Sequence, residues 1–261
     1  MKKPRMPVLF VGHGSPMNAL EKNPFTRALS GLAAGIPRPR AILCLSAHWE
    51  TSLTQVLVKA SPETIHDFYG FPDQLNRFLY PAPGAVTEAR QTLDLLSDRA
   101  LETDAWGLDH GAWTMLTHLY PRADIPVFQV SLGHDLSMAA HIALGRALAP
   151  LRDEGILILG SGNIVHNLGM MDPDARAKPY DWAEVFDAGV KKALMEKDID
   201  ALASPKAMGR AAASLSLPSD EHYIPLLYAA GASSKRDKIS FPYEGIEHAS
   251  LSMRAVLWRE E

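Results

Sequence analysis

A chain of 261 residues with 47% apolar side chains carries enough material for one ordinary buried core, which excludes global disorder. Its 26 Lys and Arg against 30 Asp and Glu leave a formal charge of −4 with no long run of either sign, so neither a polyanionic partner nor a membrane surface is indicated. The lone cysteine, Cys44, excludes an internal disulfide and a cysteine-rich zinc site, and its place in the apolar run 41–45 makes it a core thiol.

Residues 1–6 are basic, but only five apolar-leaning residues follow before Gly12 and His13, too few for a signal-peptide core. No stretch approaches the roughly 20 apolar residues that cross a bilayer, and the expectation is a soluble, cytoplasmic protein. Strands are predicted at 7–11, 41–45, 55–58, 126–130 and 156–159, where unbroken apolar runs suit strands covered on both faces. Between them, helices are predicted at 85–96, 111–119, 136–151 and 182–194, with Asp135 and Asp181 as start signals. The alternation reads as a single α/β domain over residues 1–261, with a central, mostly parallel sheet flanked by helices.

Two stretches break the rhythm. Residues 61–84 are crowded with aromatics, prolines and glycines and read as a long ordered loop of the kind that shapes a binding site. Residues 199–218 are rich in Ala, Ser and Lys and read as a surface connection.

Four histidines stand at the ends of predicted strands or the start of a predicted helix: His13 in Gly12-His13-Gly14, His48 in Ser46-Ala47-His48-Trp49, His166 in Asn163-Ile164-Val165-His166, and His222 in Asp220-Glu221-His222-Tyr223. Imidazole is a common ligand of divalent first-row metals, and strand ends gather groups distant in sequence, so a metal site at the strand ends is expected. His13 and His48 end two strands expected to be neighbours, and each is either a ligand or a hydrogen-bonded structural histidine. His222 is expected to project from the first turn of a helix capped by Ser219; beside it, Glu221 is an alternative ligand, since mononuclear iron sites often take two histidines and a carboxylate. His166 follows the segment Gly160-Ser161-Gly162-Asn163, read as a turn whose amides approach a ligand, and suits either proton transfer or ligation. His110 follows Asp109, a candidate helix cap, while His66 belongs to the aromatic loop and could line a substrate pocket. His118, His134, His141 and His248 read as ordinary helix or surface residues.

Taken together and in order, Gly12-His13-Gly14-Ser15-Pro16-Met17, Ser46-Ala47-His48-Trp49, Thr64-Ile65-His66-Asp67-Phe68, Tyr80-Pro81-Ala82-Pro83-Gly84, Asp109-His110-Gly111, Gly162-Asn163-Ile164-Val165-His166-Asn167 and Glu221-His222-Tyr223-Ile224-Pro225 resemble the 4,5-DOPA extradiol dioxygenase family. That family belongs to the class III extradiol ring-cleaving dioxygenases, related to the catalytic subunit of protocatechuate 4,5-dioxygenase. Tyr243-Glu244-Gly245-Ile246-Glu247 and Ser250-Leu251-Ser252-Met253 extend the resemblance toward the end of the chain. It implies one α/β domain with a metal site at a sheet edge. It implies one divalent metal per chain, Zn2+ or Fe2+, held by His13, His48 and His222, with His166 either a further ligand or an acid/base group. By the same resemblance His110 is a catalytic residue of the substrate-side pocket, and His66, Ser15 and Asn163 contact substrate, a small aromatic diol opened with O2. Ring opening asks for a redox-active ion such as Fe(II), although an all-histidine set would also hold zinc. The alternatives from other classes are a non-catalytic protein that binds a ligand in the metal cleft, and a zinc-dependent hydrolase.

Overall fold

Alternate residues of the central strands serve two different cores, because successive side chains on a strand point to opposite faces. On β1 (Val8–Gly12), Val8 and Phe10 join one hydrophobic cluster and Leu9 and Val11 the other. The same division runs through β2 (Ala41–Ser46), β3 (Val127–Gln129) and β4 (Ile156–Gly162), all of them buried throughout. The unbroken apolar runs are therefore strands covered on both sides, as their composition predicts. In the computed structural model, which describes residues 5–260, these four strands are joined by β5 (Lys238–Tyr243) and β6 (Ala255–Arg259) in a sheet of order β3-β2-β4-β1-β6-β5. The first four run parallel, while β6 is antiparallel to both β1 and β5.

Helices cover each face. Phe25 and Leu29 of α1 (Pro24–Ala34) and Trp113, Met115 and Leu116 of α3 (His110–Leu119) pack into one cluster. The other takes α2 (Val86–Leu96), α4 (Met138–Leu148), α5 (Asp181–Glu196) and α6 (Ile224–Ala232). Helix α1 starts at a capping box: Asn23 accepts from the Thr26 amide and Thr26 accepts from the Asn23 amide, satisfying two donors that the helix leaves free. No helix among the described residues is long and apolar enough to cross a membrane.

Several expectations change. β1 and β2 are not neighbours, since β4 lies between them. The strand at Gln55–Leu57 pairs with Leu101–Thr103 outside the central sheet. Ser137, not Asp135, caps α4, and Tyr180 precedes α5, leaving Asp181 in the first turn where its charge suits the helix dipole. Residues 199–218 are more than a surface connection: they hold helices at Ile199–Leu202 and Arg210–Ser216 that bury Leu202 and Ala213 in the core. Residues 1–4, the basic start of the N-terminal segment, lie outside the described residues.

At the N-terminal ends of β1 and β4, Arg152 is fully buried. Its Nε donates to the Met6 carbonyl at 2.7 Å, Nη1 to the Ala232 carbonyl at 3.1 Å and to Asp237 Oδ2 at 2.8 Å, and Nη2 to Asp237 Oδ1 at 2.7 Å. A buried ion pair of this kind adds little net stability when intact, but removing one partner strands a charge at a cost of about 3–5 kcal/mol.

Candidate metal centre

The opposite, C-terminal end of the parallel strands gathers five histidines. His13 follows β1 directly, and Gly14 beside it takes a positive φ of 59°, so the chain turns away at once and leaves the imidazole buried. His48 lies two residues beyond β2, its amide donating to Ser46 Oγ, which in turn donates to Asp109 Oδ1 at 2.6 Å. Asp109 caps α3 by accepting from the Ala112 amide, as its position predicts, and so ties the end of β2 to the helix that begins with His110.

The third segment differs from its sequence reading. Residues 160–162 continue β4 rather than turning, and Gly162 is required because a Cβ there would collide with the His222 carbonyl. The small residues thus admit the 222–225 backbone against the sheet, not a ligand against a turn. His222 lies in the bend before α6, not in its first turn, since the helix begins at Ile224. Pro225 dictates this: proline lacks an amide hydrogen and is tolerated only where a helix has just begun.

Strand β4 sits between the strands that carry His13 and His48, and its Ser161 supplies the link. Ser161 Oγ donates to the Gly111 carbonyl at 2.6 Å, which leaves its lone pair to accept from His13 Nδ1 at 2.9 Å. His13 therefore carries its hydrogen on Nδ1 and turns an Nε2 lone pair toward the cluster. That atom lies 3.2 Å from His48 Nε2. Two nitrogens bound to one ion at about 2.05 Å each would stand at this separation when the angle between the bonds is about 100°.

His222 completes a near-equilateral triangle. Its ring centroid lies 5.2 Å from that of His13 and 5.1 Å from that of His48, and the last two are 5.0 Å apart. His222 Nδ1 is 2.9 Å from Glu221 Oε1, and its Nε2 is buried without a partner. A buried nitrogen left unpaired is costly unless something absent from the protein chain satisfies it, so the donor set fits a metal ion. Glu221 and Ser161 hold the far sides of these rings, an arrangement usual behind histidine ligands.

The other two imidazoles lie against the triangle, one tilted and one stacked. His110 lies over His48 at 3.8 Å and 44°, and His166 lies almost flat on His222 at 3.5 Å and 7°. Grouped by nitrogen and oxygen atoms alone, His13, His48 and His110 fall within 4.8 Å of one another, as do His166, Glu221 and His222. The ring contacts among His13, His48 and His222 set the two groups side by side.

Burial, followed by the mutual repulsion of neighbouring imidazoles, drives the His13 and His222 pKa values well below the ordinary histidine value. The same causes bring His48 to about 3 against the pull of Asp67 and Glu221, and burial brings His166 to about 4. His13, His48, His166 and His222 are thereby held neutral at physiological pH, the state in which imidazole binds a metal without first losing a proton.

The remaining expected contacts are dispersed. His66 bonds the Phe78 carbonyl through Nε2 at 2.9 Å and meets the cluster through the rings of Phe68 and Trp113, which stand edge-on to His110 at 5.6 and 6.5 Å. Ser15 Oγ accepts from the Met17 amide in the turn at Pro16–Ala19. Asn163 is buried, with Nδ2 donating to the Ser252 carbonyl and Oδ1 unpartnered. Sequence reasoning missed Ser161 and Asp67. Asp67 adjoins a histidine already singled out, which was the available signal.

Residues 8–254 match the family described as the catalytic LigB subunit of aromatic ring-opening dioxygenase. The chain is 45% identical over 259 residues to a protein of Escherichia coli K12 named 4,5-DOPA dioxygenase extradiol, covering 98% of this chain and 96% of that one. A protein of the same name from Beta vulgaris is 39% identical over 236 residues, covering 88% and 87%. A crystal structure of an uncharacterized protein from Escherichia coli K12 superposes with a TM-score of 0.83 at 42% identity, covering 97% of this chain and 99% of that one.

Proposed function

Because the chain belongs to the family of catalytic LigB subunits of aromatic ring-opening dioxygenases, we propose that it opens a catechol ring, that of DOPA or a related dihydroxyphenyl compound, at a metal held by His13, His48 and His222. The observation that carries this reading is the triangle of imidazoles, buried at His13 and His222 and partly exposed at His48, with Nε2 atoms of His13 and His48 at 3.2 Å and an orphaned Nε2 on His222. A redox-active divalent ion such as Fe(II) would couple the electrons of the diol to dioxygen, which closed-shell zinc does not do although the same imidazoles would hold it.

The protein's own groups then divide the remaining work. Phe68, packed against Phe71 at 5.2 Å and edge-on to His110, supports an aromatic wall beside the site for a flat substrate. His166 acts on protons rather than as a ligand. Its ring is stacked face to face on His222, so the in-plane lone pairs of the two rings run side by side rather than converging on one ion. Held neutral by burial, it is ready to accept a catechol hydroxyl proton at a ring nitrogen.

Iron-loaded protein should consume oxygen and form a yellow product when DOPA is added. An absence of uptake across a panel of catechols would sink the reading and leave a binding protein or a zinc hydrolase. His166→Ala should keep its metal and bind catechol, yet turn over slower by roughly 10²–10⁴. Loss of the metal in that variant would make His166 a ligand instead.

A further inference from the structure

One carboxylate from the aromatic loop reaches two of the five imidazoles. Asp67 lies between His66 and Phe68, its side chain only 15% exposed. Its Oδ1 accepts the backbone N–H of His110 at 3.0 Å, while Oδ2 stands 2.9 Å from His110 Nδ1 and 3.5 Å from His48 Nδ1. A carboxylate oxygen facing a bare ring nitrogen at such distances would set lone pair against lone pair. Each Nδ1 must therefore carry the hydrogen, which leaves Nε2 of each ring with the free lone pair. On His48 that Nε2 is the atom 3.2 Å from His13 Nε2. At neither ring is the contact a well-formed hydrogen bond, being long at His48 and off-line at His110, so charge more than alignment sets the tautomers.

Ser161 and Glu221 each serve one ring, His13 and His222. Asp67 serves two and arrives on the loop whose Phe68 packs against His110. The loop that walls the site and the imidazoles that do its chemistry are thereby locked to one another.

We propose that Asp67 is a positioning residue of the ring-opening reaction, fixing the Nδ1–H tautomers of His48 and His110 so that His48 presents Nε2 to the metal and His110 presents Nε2 as an acceptor to a catechol hydroxyl. The role assigned to His110 rests on the ring-opening reading above; the effect on the tautomers does not.

The zinc-loaded protein, labelled with 15N at histidine, gives the direct test, because zinc is diamagnetic and long-range 1H–15N spectra report which ring nitrogen is protonated. His48 and His110 of the wild type should both show Nδ1–H. Asp67→Asn should move His110 toward the Nε2–H form and weaken zinc binding, measured against a chromophoric chelator, by about 10–100-fold; turnover of the iron-loaded enzyme should fall by a similar factor. Asp67→Glu should restore Nδ1–H and part of both losses. A bare Nδ1 on either ring of the wild type would overturn the proposal, as would an Asn variant with unchanged tautomers and zinc affinity. Should Asp67→Asn fail to fold, the wild-type spectrum and the Glu variant still decide. If no catechol is turned over by the wild type, the ring-opening reading fails while the tautomers and zinc affinity continue to report on Asp67.

Discussion

At the N-terminal ends of β1 and β4, Arg152 is buried with every guanidinium nitrogen bonded to a carbonyl or to Asp237. At the C-terminal ends of the same strands, five imidazoles are brought together, and the innermost nitrogens face one another or nothing. Both clusters are polar and enclosed by the same sheet and helices, so burial alone does not separate them. Satisfaction does. A polar group whose every bond is made within the chain holds the fold, whereas one whose bonds are completed only by a guest is a site.

The comparison breaks most sharply under single substitutions at the open end. His13→Ala, His48→Ala and His222→Ala should each lower metal affinity by roughly a thousandfold, since each would remove one of the three proposed donors. Their melting temperatures without metal should change little or rise, because a buried unpaired nitrogen is lost. Elemental analysis that finds full occupancy in one variant would strike that residue from the ligand set.

Arg152→Met should do the reverse, costing about 3–5 kcal/mol in urea unfolding because Asp237 is left buried and unpaired, while metal stoichiometry stays at the wild-type level. A stable variant that had lost its metal would erase the distinction between the two ends. Glu221→Gln tests a group between these extremes, since it faces a ring of the site but makes its bond within the chain. A 10–100-fold loss of metal affinity is expected. Unchanged affinity would reduce Glu221 to a residue of the bend.

The smallest effect concerns acid. His141 is buried beside Tyr228 without a hydrogen-bond partner, and burial lowers its pKa to about 4. Because the unfolded chain binds the proton nearer pH 6.5, this histidine's contribution is fully present above that pH and is lost as pH falls toward 4. Asp237 follows the carboxylate pattern at lower pH: burial opposes its charge, but bonds from Arg152 outweigh this and hold its pKa below normal, so its contribution is lost only as pH falls below the ordinary aspartate range. Between pH 7 and pH 5 the wild type should lose about 1–2 kcal/mol more than His141→Phe in paired urea titrations. Parallel pH dependence in the two proteins would remove His141 as a cause.

Local chemistry was legible in the sequence; pairing across the fold was not. Gly14 announced a sharp exit from β1, and Asp109 announced the start of α3, because each acts within a few residues of itself. The insertion of β4 between β1 and β2 leaves no such mark, so the sequence puts His13 and His48 at the ends of adjacent strands, whereas Ser161 bridges the gap between them. Asp67 was hidden for the same reason, its partners lying in other segments. β5 and β6 carry weak strand signals, since one contains Pro242 and the other is a run of only four apolar residues before Arg259. The start of α6 was readable after all: Pro225 outranks Ser219 as a boundary, since a missing amide hydrogen is a harder constraint than a favourable cap.

The triangle draws His13 from the first strand and His222 from just before the last helix, and this separation bears on how the protein is made. A ribosome delivers His13 and His48 early, yet the third imidazole and the strand that spaces the first two emerge only late in synthesis. A nascent or stalled chain would offer an ion two nitrogens on unfixed supports and would lose it to any competing chelator. Capture of metal by the proposed ligands would thus wait for translation past residue 222 and for correct insertion of β4, which makes occupancy a readout of a finished chain.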